Sequence, residues 1–498
     1  MPLKRAFSQV RAQLASPLRL SAVLALSGTL VSTVAQLLVP AILLRAWNDY
    51  GYAVVLAVQG LTAYVSVADL GLQATLLHRL SILTARGELD EARSVARAGL
   101  IALVWLSSLA AAAVIIFALA TFGLLWRPIA ESAGAGGFTM VVAISAMAIS
   151  TATAVSLGGW STAVEYARGR YVLVQLAPLV RTIGTLAALF LAASWHSDPA
   201  RGLIGSATFG IALDVARFTA SHRFLRGPSP ARLRVRSLLW QSRGGPVYAF
   251  GLATNNGLIP AVLGVTAPLI ASAAVPGRTV SNGARVVANT VGNAIWVPLA
   301  ARLEALRGDP EARALLSHRT ATLLAVIQCG SLGLVLLIAP WVVPLWLPSK
   351  SNQIMASLPV FLIEQAFLIC AVPAQIKLMA AGRLLAVGTV SIAGGVFILV
   401  MTMILVPKWG VQGYALAVAL SAGVVVAPAL LWLERDQWRR DGLSWSPWSR
   451  LLLTGGALLA VVTALLNPVI ASGMALALIA LCGVSLYGDR RLLRSRKL

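Results

Sequence analysis

Carboxylates are the scarce ingredient of this chain. Among 498 residues, 17 Asp and Glu stand against 40 Lys and Arg, and charged residues make up only 11% of the whole. A soluble domain usually carries about 25%, so little of the sequence is left over for one. The four histidines, His78, His196, His222 and His318, fall at the ends of apolar runs or in loops. The three cysteines, Cys329, Cys370 and Cys482, lie inside apolar runs without metal-ligand spacing and read as small apolar fillers. No G-x-x-x-x-G-K-[ST] loop occurs. These absences argue against an enzyme, and no cofactor or metal is expected.

What fills the space is apolar sequence, 58% of all residues. Runs of about 20 apolar residues match the hydrocarbon thickness of a bilayer, and about fourteen of them are present. They fall at 20–45, 52–77, 98–122, 138–159, 171–194, 203–225, 247–272, 276–300, 319–340, 354–378, 385–407, 411–433, 451–467 and 469–487. The last two are short. The fold class expected is an all-α polytopic membrane protein. The run from Leu20 to Leu44 follows four basic residues, but it exceeds a signal-peptide core and lacks a cleavage site, so it reads as an uncleaved first span.

The net charge of +23 would suggest nucleic acid in a soluble protein. Sorted by alternating sides, 32 of the 40 basic residues fall on the side of the amino terminus. Five face the other side, and Arg181, Arg278 and Arg285 lie within spans. By the positive-inside rule, both termini are cytoplasmic. The basic excess then serves topology and contact with anionic membrane lipids, and no nucleic-acid partner is expected. Tryptophans near span ends, such as Trp47, Trp126, Trp160, Trp195, Trp346 and Trp409, read as interfacial anchors.

The two halves repeat. Arg79-Leu80 and Arg86-Gly87-Glu88-Leu89-Asp90-Glu91-Ala92-Arg93 follow span two; Arg302-Leu303 and Arg307-Gly308-Asp309-Pro310-Glu311-Ala312-Arg313 follow span eight. Gly169-Arg170 opens span five as Gly382-Arg383 opens span eleven. Gly202-Leu203-Ile204-Gly205 and Gly410-Val411-Gln412-Gly413 open spans six and twelve. The expected organisation is two six-helix lobes in a parallel repeat, 1–225 and 247–435, joined by a basic link at 226–246. An extra helix pair and basic tail fill 436–498.

Ionisable groups deep in a bilayer are costly and usually face an interior cavity. Arg285 lies about 13 Å into span eight at 1.5 Å per residue. Arg278, Asn282, Arg285, Asn289 and Asn293 form a single stripe along that helix, which lipid could not cover. The stripe reads either as a cationic wall that binds an anionic group, with Arg offering forked donors to phosphate, or as an interhelical hydrogen-bond seam. Arg181, midway along span five, is either a binding residue or neutralised within its own lobe. Asn255 and Asn256 precede Pro260, which opens the helix ladder of span seven. Glu364 in span ten is open between a coupling site and a partner for a buried Arg, and Asp69 between coupling and shaping the exit of span two. Asp214 and Arg217, at i and i+3, read as a local ion pair.

Trp47-Asn48-Asp49-Tyr50-Gly51, Ala68-Asp69-Leu70-Gly71-Leu72, Val297-Pro298-Leu299 and Ala381-Gly382-Arg383 resemble motifs of bacterial O-antigen and capsule-type polysaccharide flippases. These belong to the multidrug/oligosaccharidyl-lipid/polysaccharide exporter superfamily. The resemblance runs over residues 20–435. It implies two lobes facing a central cleft lined by spans one, two, seven and eight, which would place Arg278 and Arg285 there. It implies export of polyprenyl-pyrophosphate-linked oligosaccharide across the bacterial cytoplasmic membrane by lobe rocking, alongside a polysaccharide polymerase and other assembly proteins. Span one lacks the arginine cluster by which lipid II flippases resemble one another, which argues against a peptidoglycan precursor. Two alternatives remain. One is a cation-coupled multidrug antiporter of the same fold, whose cleft should be acidic. The other is a membrane polysaccharide polymerase or ligase, which needs larger outer loops than these.

Overall fold

A computed structural model describes residues 17–69, 71–195, 198–226, 245–306, 308–440, 448–466 and 473–479. Most of the 226–246 link, the basic ends of the chain, Cys482 and most of the last predicted span lie outside the described residues. Those described are helical, and nine helices are long and apolar enough to cross a membrane. The protein is an all-α polytopic membrane protein. It divides by packing into two compact units, Met1–Pro268 and Leu269–Leu498.

The first unit opens with α1 (Pro17–Thr62), which carries a sharp kink at Asn48 (φ 58°, ψ −170°). The Asn48 carboxamide accepts from the amides of Tyr50 at 2.9 Å and Gly51 at 3.1 Å. A residue that tolerates left-handed backbone thus also caps the next helical segment. A side chain at position 51 would strike Trp47 Cβ, and one at Gly202 would strike its indole ring. Trp47 is buried in the turn. Trp126 and Trp160 are buried too, with Trp160 Nε1 donating to Ala96 O at 2.8 Å. These three hold helices together, while Trp195 and Trp409 stay exposed as anchors would.

Helices α2 (Leu72–Ala85), α3 (Leu89–Ala120), α4 (Gly137–Thr153), α5 (Gly159–Ala167), α6 (Tyr171–Ser194) and α7 (Pro199–Ser221) follow. Leu72, Leu76 and Leu80 recur at i, i+4 and i+8 and pack on Ala92, Val95 and Ala96 of α3. Helices α8 (Gly245–Ala253) and α9 (Ile259–Thr266) are joined by a π-helical turn, Thr254–Leu258. Pro260, just beyond it, has no amide to continue the ordinary ladder. This segment packs on α1, where a Cβ at Gly60 would lie 2.3 Å from Gly257 O. Packing therefore divides the chain after Pro268, whereas the sequence repeat has its seam at 226–246.

The second unit contains α10 (Pro268–Ala305), α11 (Pro310–Trp346), α12 (Ser351–Ala380), α13 (Leu384–Leu420), α14 (Ala427–Arg440) and α15 (Trp448–Leu466). The two Gly-Arg turns share one geometry. Gly169 and Gly382 have φ of 71° and 76°, and the following arginine amides reach back to Glu165 O at 2.8 Å and Leu378 O at 2.9 Å. Both are left-handed glycine caps of the same helix-ending motif. Helix α13 kinks at Gly410 (φ 55°), which follows Trp409 as Asn48 follows Trp47. Helix α15 packs on α11 and α12.

Candidate functional site

In the second unit, the polar stripe of α10 divides into two parts. Arg278 is buried; its Nη2 donates to Glu364 Oε1 at 3.2 Å and its Nη1 to Tyr414 Oη at 3.0 Å. Gln365 Nε2 donates to both Glu364 Oε2 and Asn282 Oδ1, each at 3.2 Å. Gln328 Nε2 in turn donates to the Gln365 backbone carbonyl at 3.2 Å. Helices α10, α11, α12 and α13 are thereby tied by one buried network. Glu364 is the partner of a buried arginine. Gln328, Gln365 and Tyr414 escaped the sequence reading because, uncharged, they give no signal of their own in an apolar run.

Arg285 and Asn289 lie further along the same helix, and both are half-buried. Among the described residues neither makes a hydrogen bond or an ion pair. Glu364 acts electrostatically on Arg285 as well as on Arg278, so two guanidiniums share one carboxylate. The geometry awards that carboxylate to Arg278, and the surplus positive charge rests on Arg285. The side chain of Asn293 lies outside the described residues.

In the first unit, Arg181 Nη1 donates to Asp214 Oδ2, and its Nη2 reaches Ser150 Oγ at 3.1 Å. A Cβ at Gly210 would fall 2.9 Å from Arg181 Nη2, and one at Gly158 would fall 2.7 Å from Asp214 Oδ1. Two glycines thus make room for the pair, and Asp214 neutralises Arg181 within its own unit. The expected Asp214–Arg217 pair does not form. Arg217 instead donates to Glu165 Oε2 at 2.7 Å and Thr162 Oγ1 at 3.0 Å, both on α5. Pairing between helices prevails here because Arg181 competes for the carboxylate from across the unit.

Asp69 Oδ1 accepts from the Gln73 amide at 2.8 Å and so caps the first turn of α2. Asn255 Nδ2 donates to Gly251 O at 3.0 Å, and Thr254 Oγ1 to Phe250 O at 2.9 Å, so both engage the backbone of their own segment. The Asn256 side chain lies outside the described residues. Beside this segment a cavity of about 300 Å³ is lined by Gln59, Gly60, Ser66, Ala253 and Gly257, among others. Among the described residues no group of three or more His, Cys, Asp or Glu could hold a metal ion.

No protein-family model matches the chain, and no curated protein matches its sequence. Solved structures do match. The lipid II flippase MurJ in its inward closed conformation is similar over 94% of this chain and 99% of its own, with TM-score 0.60 and 12% identity. An inward-facing MATE-family multidrug resistance transporter of the MOP superfamily is similar over 84% and 99%, with TM-score 0.61 and 13% identity. MATE in the straight conformation gives 86% and 97%, with TM-score 0.59 and 13% identity. The fold is that of the MOP transporters. The likeness includes a lipid II flippase and multidrug transporters alike, so it leaves the ligand to be argued from side chains.

Proposed function

We propose that the protein is a flippase that exports polyprenyl-pyrophosphate-linked oligosaccharide units across the bacterial cytoplasmic membrane for surface polysaccharide synthesis. The single observation that carries this reading is Arg285, a cation on the helix that the sequence reads as span eight, which among the described residues has no counter-ion of its own. An unpaired charge at that depth is costly, and an anionic ligand offsets the cost. A diphosphate suits a guanidinium well, since planar forked donors match its oxygens. Asn289 offers neutral donors beside it for sugar hydroxyls or phosphate. Asn282 and Arg278 hold the helix against its neighbours, and Arg181 keeps its charge for Asp214.

Transport proceeds by rocking of the two lobes, with both termini on the cytoplasmic side and a polysaccharide polymerase receiving the product. The multidrug antiporter reading has support in the likeness to MATE structures. It calls for an acidic ligand site, yet Glu364 is engaged by Arg278 and Asp69 by the backbone of α2. In proteoliposomes containing the purified chain, polyprenyl-pyrophosphate-linked oligosaccharide should become accessible on the opposite leaflet. Transport of lipophilic cations with no movement of the lipid-linked sugar would overturn the flippase reading in favour of the antiporter.

A further inference from the structure

One end of the second unit buries a second group of basic side chains, unrelated to the α10 stripe. Arg450 stands in the first turn of α15 and is only 2% exposed. Its Nη2 donates to Glu434 Oε2 at 2.9 Å, and Trp438 Nε1 donates to the other oxygen at 3.3 Å. Lys377 Nζ, also buried, sits 3.2 Å from the centre of the same indole ring. Among the described residues, Glu434 thus meets Arg450 directly and lies with Lys377 on the same indole. Arg450 Nε and Nη1 are buried and, among the described residues, have no hydrogen-bond partner. Thr454, one turn along, is buried and faces Cys370 of α12.

Each of these features is unfavourable alone. Buried donors left unmatched cost about 1–3 kcal/mol each, more when charged. A cation in the first turn of a helix also opposes the helix dipole. One ligand relieves all of them. A phosphate-type oxyanion accepts from guanidinium donors, is favoured at a helix amino terminus, and cancels the surplus charge.

We propose that the start of α15, with Arg450 as its principal donor and Lys377 and Thr454 beside it, is a binding site for a phosphate group. The phosphate is either free or borne by a lipid headgroup. Occupancy would fasten α15 to α12 and α14, making attachment of the extra helix pair depend on an anion. The site is separate from Arg285 and stands whether or not the flippase reading holds.

The test uses the full chain purified in non-ionic detergent with phosphatidylcholine, at constant ionic strength set with gluconate. An Arg285→Ala background removes a cation that makes no ion pair among the described residues. Thermal stability is followed as free phosphate is added, and in a second arm as phosphatidylglycerol replaces phosphatidylcholine. The expected result is a saturable rise in Tm in one of the two arms, which identifies the source. Arg450→Lys retains the charge and a bond to Glu434 but loses the spare donors, so apparent affinity should fall about tenfold. Thr454→Val, which leaves the ion pair intact, should weaken the response more modestly. An equal rise in the parent, Arg450→Lys and Thr454→Val chains would overturn the site, as would no rise in either arm.

Discussion

Arg278 and Glu364 form a buried ion pair between α10 and α12, with 3.2 Å between Nη2 and Oε1, and Arg278 Nη1 donates to Tyr414 Oη at 3.0 Å. The pair decides how the polar stripe is read, because it engages the one carboxylate that, among the described residues, acts on both arginines. Breaking one side of such a pair leaves an uncompensated buried charge and typically costs about 3–5 kcal/mol. Glu364→Gln should therefore lower the amount of folded protein in the membrane. Glu364→Gln combined with Arg278→Met should recover much of it. Detergent-extracted monodisperse protein measured for all three chains checks this. A well-folded Glu364→Gln single variant would show that the pair is not structural.

Asn48 makes a backbone prediction of a different kind. It supplies both a left-handed φ and a side-chain cap at the first hairpin. Asn48→Gly keeps the first and loses the second, whereas Asn48→Ala loses both. Loss of a cap and strain at such a φ together cost about 2 kcal/mol or more. Thermal melting should rank wild type above Gly and Gly above Ala. Equal melting of the Ala and Gly chains would contradict the role given to the backbone.

The helical class, the polar stripe and the matching Gly-Arg turns were legible in the sequence because each rests on local spacing. Apolar length fixes a span, and a left-handed glycine followed by a long side chain fixes a turn. The pairings were not legible. Asp214 has Arg217 one turn away, yet it bonds Arg181, which is 33 residues distant. Nothing in one-dimensional spacing shows that Gly158 and Gly210 clear space for that contact. Nor does spacing show that Arg450 is buried against Glu434, which lies 16 residues earlier on α14.

The Arg181–Asp214 pair gives a third test. If its role is to hold α4, α6 and α7 together, an apolar replacement of both partners should be tolerated better than loss of one. Asp214→Leu should reduce folded protein strongly, by an effect on the order of 3 kcal/mol. Arg181→Met with Asp214→Leu should restore both folding and export. Folded double variant with no export would instead assign Arg181 to substrate.

Anion binding by this protein centres on Arg285. Its most direct test is the rate at which polyprenyl-pyrophosphate-linked oligosaccharide crosses the bilayer in proteoliposomes, per molecule of inserted protein, for wild type, Arg285→Lys and Arg285→Ala. Lysine keeps the charge but loses the forked donors, so it should retain part of the rate. Alanine should lose nearly all of it, a fall on the order of a hundredfold if a charge-assisted bond of about 3 kcal/mol is removed. All three chains should insert to similar levels, because Arg285 makes no hydrogen bond or ion pair to a neighbouring helix among the described residues. Transport by well-inserted Arg285→Ala at the wild-type rate would contradict the anion-binding role of this residue.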